Sequence, residues 1–314
     1  MTIVDNQDKK ITDFLKDYKF TLSAEVIPPR NGAEQANILT QIDLLVSHGA
    51  QFLSVTKGAG GSLRGGSLPI AHAIKDRFKV PSIAHFTCRD LTPQDVENQL
   101  IDHHYFGIRN ILALRGDPPT GQKEWKAREG SYSYAYQLIQ QIKKLNDGQF
   151  LERPDGPKAK SREKLDFSIG CAVYPEHPIE KERIDFFRLK VEHGAEYAIS
   201  QMLFDSDAYS RFLELTAKAK VTIPVLPGTR IIKTKEAGER MAKRFEINLP
   251  KSISSTLGTD EDQKRDPKGV MEKSLEAFIR FIEKLKSIGA PGVHVFVLSD
   301  TEISCLLLQR LKKI

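Results

Sequence analysis

One short junction recurs down this chain and limits what it can become. A helical segment runs into a glycine, and the glycine into an apolar run of strand length. Val191-Glu-His-Gly-Ala195 leads into Glu196-Tyr-Ala-Ile-Ser-Gln201, and Ser287-Ile-Gly-Ala290 leads past Pro291 into Gly292 to Leu298. His48-Gly49-Ala50 leads into Gln51 to Thr56, and a weaker copy, Tyr105-Phe-Gly-Ile108, precedes Asn110 to Leu114. Glycine takes the left-handed conformation that ends a helix. A helix-to-strand link repeated in this way is the mark of alternating β/α units.

Counting the runs predicts eight strands, at 20–26, 51–56, 80–86, 110–115, 166–172, 195–201, 221–226 and 292–298. The segments between them keep helical spacing, as in Val96, Leu100, Ile101 and Tyr105, or Leu275, Phe278, Ile279, Ile282 and Leu285. Eight such units in an α/β chain predict a closed (β/α)8 TIM barrel, with a doubly wound open sheet as the runner-up. The whole of residues 1–314 is expected to be a single domain. A lead-in helix is expected at 1–18, with Ile11, Phe14, Leu15 and Tyr18 on one face. A polar loop is expected at 146–165 and an insertion in the last unit at about 248–268.

Composition excludes several classes. No apolar run approaches the roughly 20 residues that span a bilayer, and the N-terminus lacks the apolar core of a signal peptide. Cys88, Cys171 and Cys305 form no C-x-x-C pair, so they read as reduced thiols of a cytoplasmic protein. Net charge is +6, and part of the excess lies in residues 230–244. That suits an anionic small molecule or cofactor, although a solvated helix face is the commoner reason for such a run. The basic residues are not interleaved with aromatics and no nucleic-acid motif is present.

In a barrel of this kind chemistry belongs at the C-terminal ends of the strands. Those ends carry Glu25, Thr56-Lys57, His85 to Asp90, Arg115-Gly116-Asp117, Tyr174 to Pro178, Gln201, Pro227 to Arg230, and Ser299-Asp300. The strand before Arg115 is stopped by Pro118 and Pro119, which lack the donor that a ladder needs. Gly58-Ala-Gly60-Gly61-Ser-Leu63 fails the G-x-G-x-x-G fingerprint at its last glycine. Neither a phosphate-binding G-x-x-x-x-G-K-[ST] loop nor H-E-x-x-H is present, and His103-His104 are adjacent on a helix, facing different ways, so no metal is expected. From spacing alone, Lys57 and Lys233 suggest Schiff-base chemistry of an aldolase or lyase.

Six stretches, in order, carry a family resemblance: S-A-E-V-I-P-P-R (23–30), L-S-V-T-K-G-A-G-G (53–61), A-H-F-T-C-R-D (84–90), L-A-L-R-G-D-P-P (112–119), Y-P-E-H-P (174–178) and G-A-E-Y-A-I-S-Q-M-L-F-D (194–205). Together they resemble methylenetetrahydrofolate reductase in its short, catalytic-domain form. At this length the regulatory domain of the family's long form is not expected. The resemblance implies a (β/α)8 flavoenzyme that binds FAD without a Rossmann unit. It takes hydride from NAD(P)H and passes it to 5,10-methylenetetrahydrofolate by ping-pong kinetics, giving 5-methyltetrahydrofolate. A homo-oligomer and a place in one-carbon metabolism and methionine biosynthesis are implied as well.

Site residues follow from the same resemblance. Glu25 matches the general acid, with Ala24, Val26 and Ile27 as the expected apolar setting. Asp117 matches the aspartate beside flavin and folate, and Gln201 a glutamine that contacts either substrate. Thr56, His85, Arg115, Gly116, Ala135, Tyr174, His177 and Lys190 match positions lining FAD, with Arg115 and Lys190 as phosphate partners. Several positions depart from the family pattern. Lys57 replaces a tyrosine, Tyr136-Gln137 a Ser-Asp pair, and Arg183 and Phe186 an Asp and an Asn. Thr229 to Lys233 and Lys235 replace the run after Pro227-Gly228, and Asp300 stands where a folate-contacting arginine is expected. Arg230 or Lys233 is the candidate replacement for that arginine. A flavin- or folate-binding subunit active only with a partner is a further alternative.

Overall fold

The computed structural model describes residues 7–31, 33–58, 65–119, 121–122, 125–152 and 163–313. The first six residues of the lead-in segment, the glycine-rich stretch at 59–63 and most of the polar loop (153–162) lie outside the described residues.

Eight parallel strands close on one another in sequence order: β1 (Thr21–Val26), β2 (Phe52–Val55), β3 (Ser82–Thr87), β4 (Asn110–Leu114), β5 (Ser168–Val173), β6 (Tyr197–Met202), β7 (Val225–Thr229) and β8 (Gly292–Phe296). β8 pairs back onto β1, with Glu25 opposite Phe296. The expected (β/α)8 barrel is therefore the observed one. α2 (Ala36–Ser47), α3 (Ser67–Arg77), α4 (Pro93–Tyr105), α5 (Ala135–Asn146), α6 (Glu180–Glu192), α7 (Ser206–Lys218), α8 (Lys235–Phe245), α11 (Pro267–Ser287) and α12 (Thr301–Leu311) belong to the outer layer. Alternate residues of each strand face these helices, and Ala24, Val26, Leu53, Val55, Ala84 and Phe86 join the main apolar core there.

The lead-in helix is shorter than expected. α1 (Ile11–Asp17) belongs to a second apolar cluster, inside the barrel at its N-terminal end. Ile11, Phe14 and Leu15 pack there with Phe52, Ile83, Leu112, Tyr197, Ile199 and Leu226. Asn110 ties the helix down: its Oδ1 accepts from Ile11 N at 2.7 Å, and its Nδ2 donates to Lys9 O at 3.0 Å and Ser82 O at 3.1 Å. The buried Asp8 carboxyl accepts from Ser82 N and, at 2.8 Å, from Ser82 Oγ. Tyr18, expected on the same buried face, is 41% exposed and stacks on Phe14 instead.

Two expectations change. β7 lies at 225–229, not 221–226, because Pro227-Gly228 is strand and not turn. The β6/β7 register shifts between Ile199 and Met202, and Gly228 N donates to Ser200 Oγ at 2.8 Å. Gly228 is there for close approach: a Cβ would stand 2.5 Å from both the Phe296 ring and Ser200 O. The insertion at 248–268 contains two short helices, α9 (Lys251–Ser254) and α10 (Asp260–Arg265), the second capped by Thr259. Asn248, leading into it, donates to Glu176 Oε1 and Asp205 Oδ2, so it is tied to the ends of β5 and β6.

Candidate active site

Period-2 alternation decides which polar residues reach the barrel lumen. Ser23 and Glu25 on β1, Ser54 with Thr56 just beyond β2, and His85 on β3 lie on the inner face. Their register partners there include Leu112, His294 and Phe296. Ala24 and Val26 point the other way, into the helix layer. The expected apolar setting for Glu25 therefore does not come from Ala24 or Val26. The barrel interior supplies it, and burial there pushes the Glu25 carboxyl up to about 8.

Glu25 Oε2 stands 3.6 Å from His85 Nε2. Burial lowers the His85 imidazole to about 3, so at neutral pH the contact joins two uncharged groups. His85 Nε2 and Thr56 Oγ1 are buried and have no hydrogen-bond partner among the described residues.

Below them lies a network that the sequence reading missed. Ser23 Oγ donates to Val293 O at 3.0 Å and contacts His294 Nδ1 at 2.8 Å, and Ser54 Oγ contacts His294 Nε2 at 3.0 Å. The Ser23 proton is committed to a carbonyl, so Nδ1–H must donate to Ser23 and Nε2 must accept from Ser54. Burial, with nearby His85 adding to it, holds His294 near 3 and therefore neutral. The available signal was polar spacing at i, i+2: Ser23 before Glu25, and Ser54 before Thr56.

The next wall is the β4 turn. Cys88 N and Arg89 N donate to Leu114 O and Arg115 O at 3.2 and 3.0 Å, and the Arg89 guanidinium holds the Asp117 carbonyl. Gly116 has φ +95, and a Cβ there would lie 2.9 Å from Arg89 Cβ. Only glycine lets the turn lie this close, and the turn sets Arg115 and Asp117 out at the mouth, both exposed. Tyr174, at the end of β5, is close enough to feel both charges.

The remaining expected residues are spread along the same rim. Lys190 Nζ donates to Ala172 O at 2.7 Å and lies 5.7 Å from the Tyr174 ring centroid. His177 Nδ1 accepts from Ile179 N at 3.3 Å, ahead of α6, and Arg183 clasps the His177 carbonyl with two nitrogens. Ala135 opens α5, whose start is held by Gln137 Oε1 accepting from Ser133 N and Tyr134 N. Tyr136 and Phe186, both departures from the family pattern, each stack with exposed Tyr134. Gln201 follows the alternation inward, and its Oε1 accepts from Met202 N at 2.7 Å.

Of the two lysines behind the Schiff-base alternative, Lys57 does not stand in the lumen. Lys57 follows inward-facing Thr56 and so points outward. Its Nζ donates to Gln99 on α4 at 2.8 Å and sits 4.3 Å from the Phe86 ring centroid. Lys233 Nζ is 3.2 Å from Asp300 Oδ1. His103 and His104 bond separately, to Gln99 O and Asp166, and no metal-ligand cluster occurs among the described residues. Among the described residues no helix is long and apolar enough to cross a membrane.

The family model for methylenetetrahydrofolate reductase matches residues 10–312. Methylenetetrahydrofolate reductase 1 of Schizosaccharomyces pombe is 29% identical over 299 residues, covering 93% of this chain and 46% of that protein. The 5,10-methylenetetrahydrofolate reductase of Escherichia coli is 29% identical over 293 residues, covering 91% of this chain and 88% of that one. The chain spans about half the length of the fungal and plant relatives it matches. A Clostridium thermocellum protein that binds two copies of 5-methyl-5,6,7,8-tetrahydrofolic acid matches with a TM-score of 0.58 at 15% identity, covering 96% of this chain and 98% of that one. At that identity the likeness speaks for the barrel alone. The match of the family model along nearly the whole chain, on a closed eight-stranded barrel, shows that this chain belongs to the methylenetetrahydrofolate reductase family.

Proposed function

We propose that the chain reduces 5,10-methylenetetrahydrofolate to 5-methyltetrahydrofolate, with FAD as its resident carrier and NAD(P)H as reductant, the two substrates using one mouth in turn. The observation that carries this reading is Glu25, a lumen carboxyl that burial keeps protonated at neutral pH. Opening the five-membered ring of the folate requires a proton on the departing nitrogen, and a carboxylic acid near 8 delivers one at physiological pH.

The residues present suit a flavin. Thr56 Oγ1 and His85 Nε2 are buried polar atoms without hydrogen-bond partners among the described residues, as expected of groups that a polar ring edge would satisfy. When bound, FAD supplies the two-electron relay between nicotinamide and folate. Arg115 and Lys190 would face its phosphates, and Gly116, Ala135, Tyr174 and His177 would line it.

Glu25 donates its proton to the departing folate nitrogen. Cleavage leaves an iminium on the other nitrogen, and the Asp117 carboxylate favours this cation electrostatically until hydride arrives. The Gln201 amide, pinned by its bond to Met202 N, offers one fixed edge to whichever substrate is present. His85 stays neutral beside Glu25 and so does not draw off its proton.

Purified protein tests this directly through its visible spectrum. A yellow protein that bleaches with NADH or NADPH and recolours with methylenetetrahydrofolate supports the reading. Protein that lacks flavin, and stays inactive after FAD is added, would sink it. Flavin that never bleaches in the isolated chain would favour the partner-dependent subunit.

A further inference from the structure

The β7/β8 rim carries a charge cluster that the proton and hydride steps above leave unused. Arg230 directly follows β7 and continues its inward set after Leu226 and Gly228. Its Nη2 lies 2.5 Å from Asp300 Oδ2, and Lys233 Nζ lies 3.2 Å from Asp300 Oδ1. Two cations therefore share one carboxylate, and one positive charge is left over. Arg230 Nε is buried with no hydrogen-bond partner among the described residues. Asp300 is the N-cap residue of α12, yet its side chain makes no capping bond and turns to the cations instead. The cluster is coupled to the proton donor through the backbone: Asp300 N donates to Val297 O at 2.9 Å, and Val297 N to Glu25 O at 3.4 Å.

We propose that Arg230 and Lys233 form a carboxylate subsite for the glutamyl tail of the folate, and that Asp300 is an internal carboxylate occupying it until substrate arrives. This rests on the folate reading given above. The exchange is chemically even, because one carboxylate replaces another on the same two cations. The displaced Asp300 has a second home, since an aspartate at an N-cap accepts readily from the first-turn N–H groups of its helix. The acid at position 300 is then a competitor that tunes affinity.

The test titrates the purified protein with 5-methyltetrahydrofolate and with its tail-less counterpart, 5-methyltetrahydropteroate, by calorimetry. Wild type is expected to prefer the tailed ligand by about tenfold or more. R230Q should bring that ratio close to one while the tail-less ligand still binds, which also reports a folded mouth. K233Q, at a more exposed position, repeats the measurement with a partial loss. D300N should raise the ratio, because the internal competitor is gone. A wild-type ratio near one, equal weakening of both ligands in R230Q and K233Q, or a lower ratio in D300N overturns the subsite alone. Wild type that binds neither ligand overturns the folate reading and the subsite together.

Discussion

Glu25 and His85 meet at 3.6 Å across β1 and β3, and at neutral pH neither is charged. A carboxyl and an imidazole at this distance would ordinarily form an ion pair. Here burial acts on both in opposite directions, raising the acid and lowering the base, and the proton stays on the carboxyl.

This proton placement sets a pH profile. The folate half-reaction should slow as pH rises through about 8, where Glu25 loses its proton. Glu25→Gln should slow that half-reaction by about a hundredfold or more and flatten the profile. Bleaching by NAD(P)H should persist. Stopped-flow spectra of the two half-reactions decide the matter, and a variant with normal folate turnover would remove Glu25 from its role.

Stability should respond to the same group. Its folded value, about 8, lies above the ordinary 4.5. The folded state therefore holds a proton that the unfolded chain releases, and stability is lost as pH climbs from about 4.5 through 8. Glu25→Gln has no such proton to hold. Its melting temperature relative to wild type should rise between pH 5 and pH 9, by at least about 2 °C. A difference that stays constant with pH would contradict the assignment.

Lys57 predicts the opposite slope. Burial lowers its amine to about 8 from 10.5, so the unfolded chain binds more protons across that window and stability grows as pH rises through it. Lys57→Met should be most favourable, relative to wild type, near pH 7 and lose that advantage toward pH 10. Chemical unfolding at three pH values measures this. Borohydride with a carbonyl compound should leave Lys57 unmodified in native protein, since the amine is enclosed by Gln99 and Phe86.

Asn110 should matter more than a strand-end asparagine usually does. It bonds Ile11 N, Lys9 O and Ser82 O, joining α1 to the barrel floor. Asn110→Ala leaves those buried groups without partners and should cost about 2–3 kcal/mol in urea unfolding. The mouth should keep its ligand affinity. A loss under about 0.5 kcal/mol would mean that the floor closes without this residue.

Gly170 is set by its register partner on the adjacent strand, Tyr197 of β6. A Cβ there would lie 2.4 Å from Tyr197 Cζ, inside a fully buried ring. Gly170→Ala should therefore destabilise by about 1–3 kcal/mol, although alanine suits a strand better than glycine elsewhere. A double variant with Tyr197→Phe, which relieves only the hydroxyl contact at 2.7 Å, should recover part of the loss. Unfolding midpoints of the single and double variants check this.

Much of this architecture was legible in the residues. The repeated helix–glycine–strand junction and the apolar runs are local patterns, and local patterns carry element type and order. β4 ends at Leu114, a few residues before Pro118 and Pro119, and the family motifs carried Glu25, His85 and Gln201 to one rim. β7 was misplaced because Pro227-Gly228 carries a turn signal. Its use as strand depends on a register shift in β6 and on the Phe296 ring of the adjacent strand β8. The setting of Glu25 was misassigned for a related reason. Neighbours in sequence face away from each other in a strand, so Ala24 and Val26 serve the helix layer.

By itself the sequence determined eight β/α units, their order, and a polar rim bearing an acid, a histidine and a glutamine. Tertiary structure alone decided protonation and pairing. Glu25 and His85 are neutral because barrel closure removes water from both, and that desolvation comes from strands distant in sequence. Arg230, Lys233 and Asp300 become one cluster only because closure brings β7 beside β8, joining residues separated by as many as 70 positions.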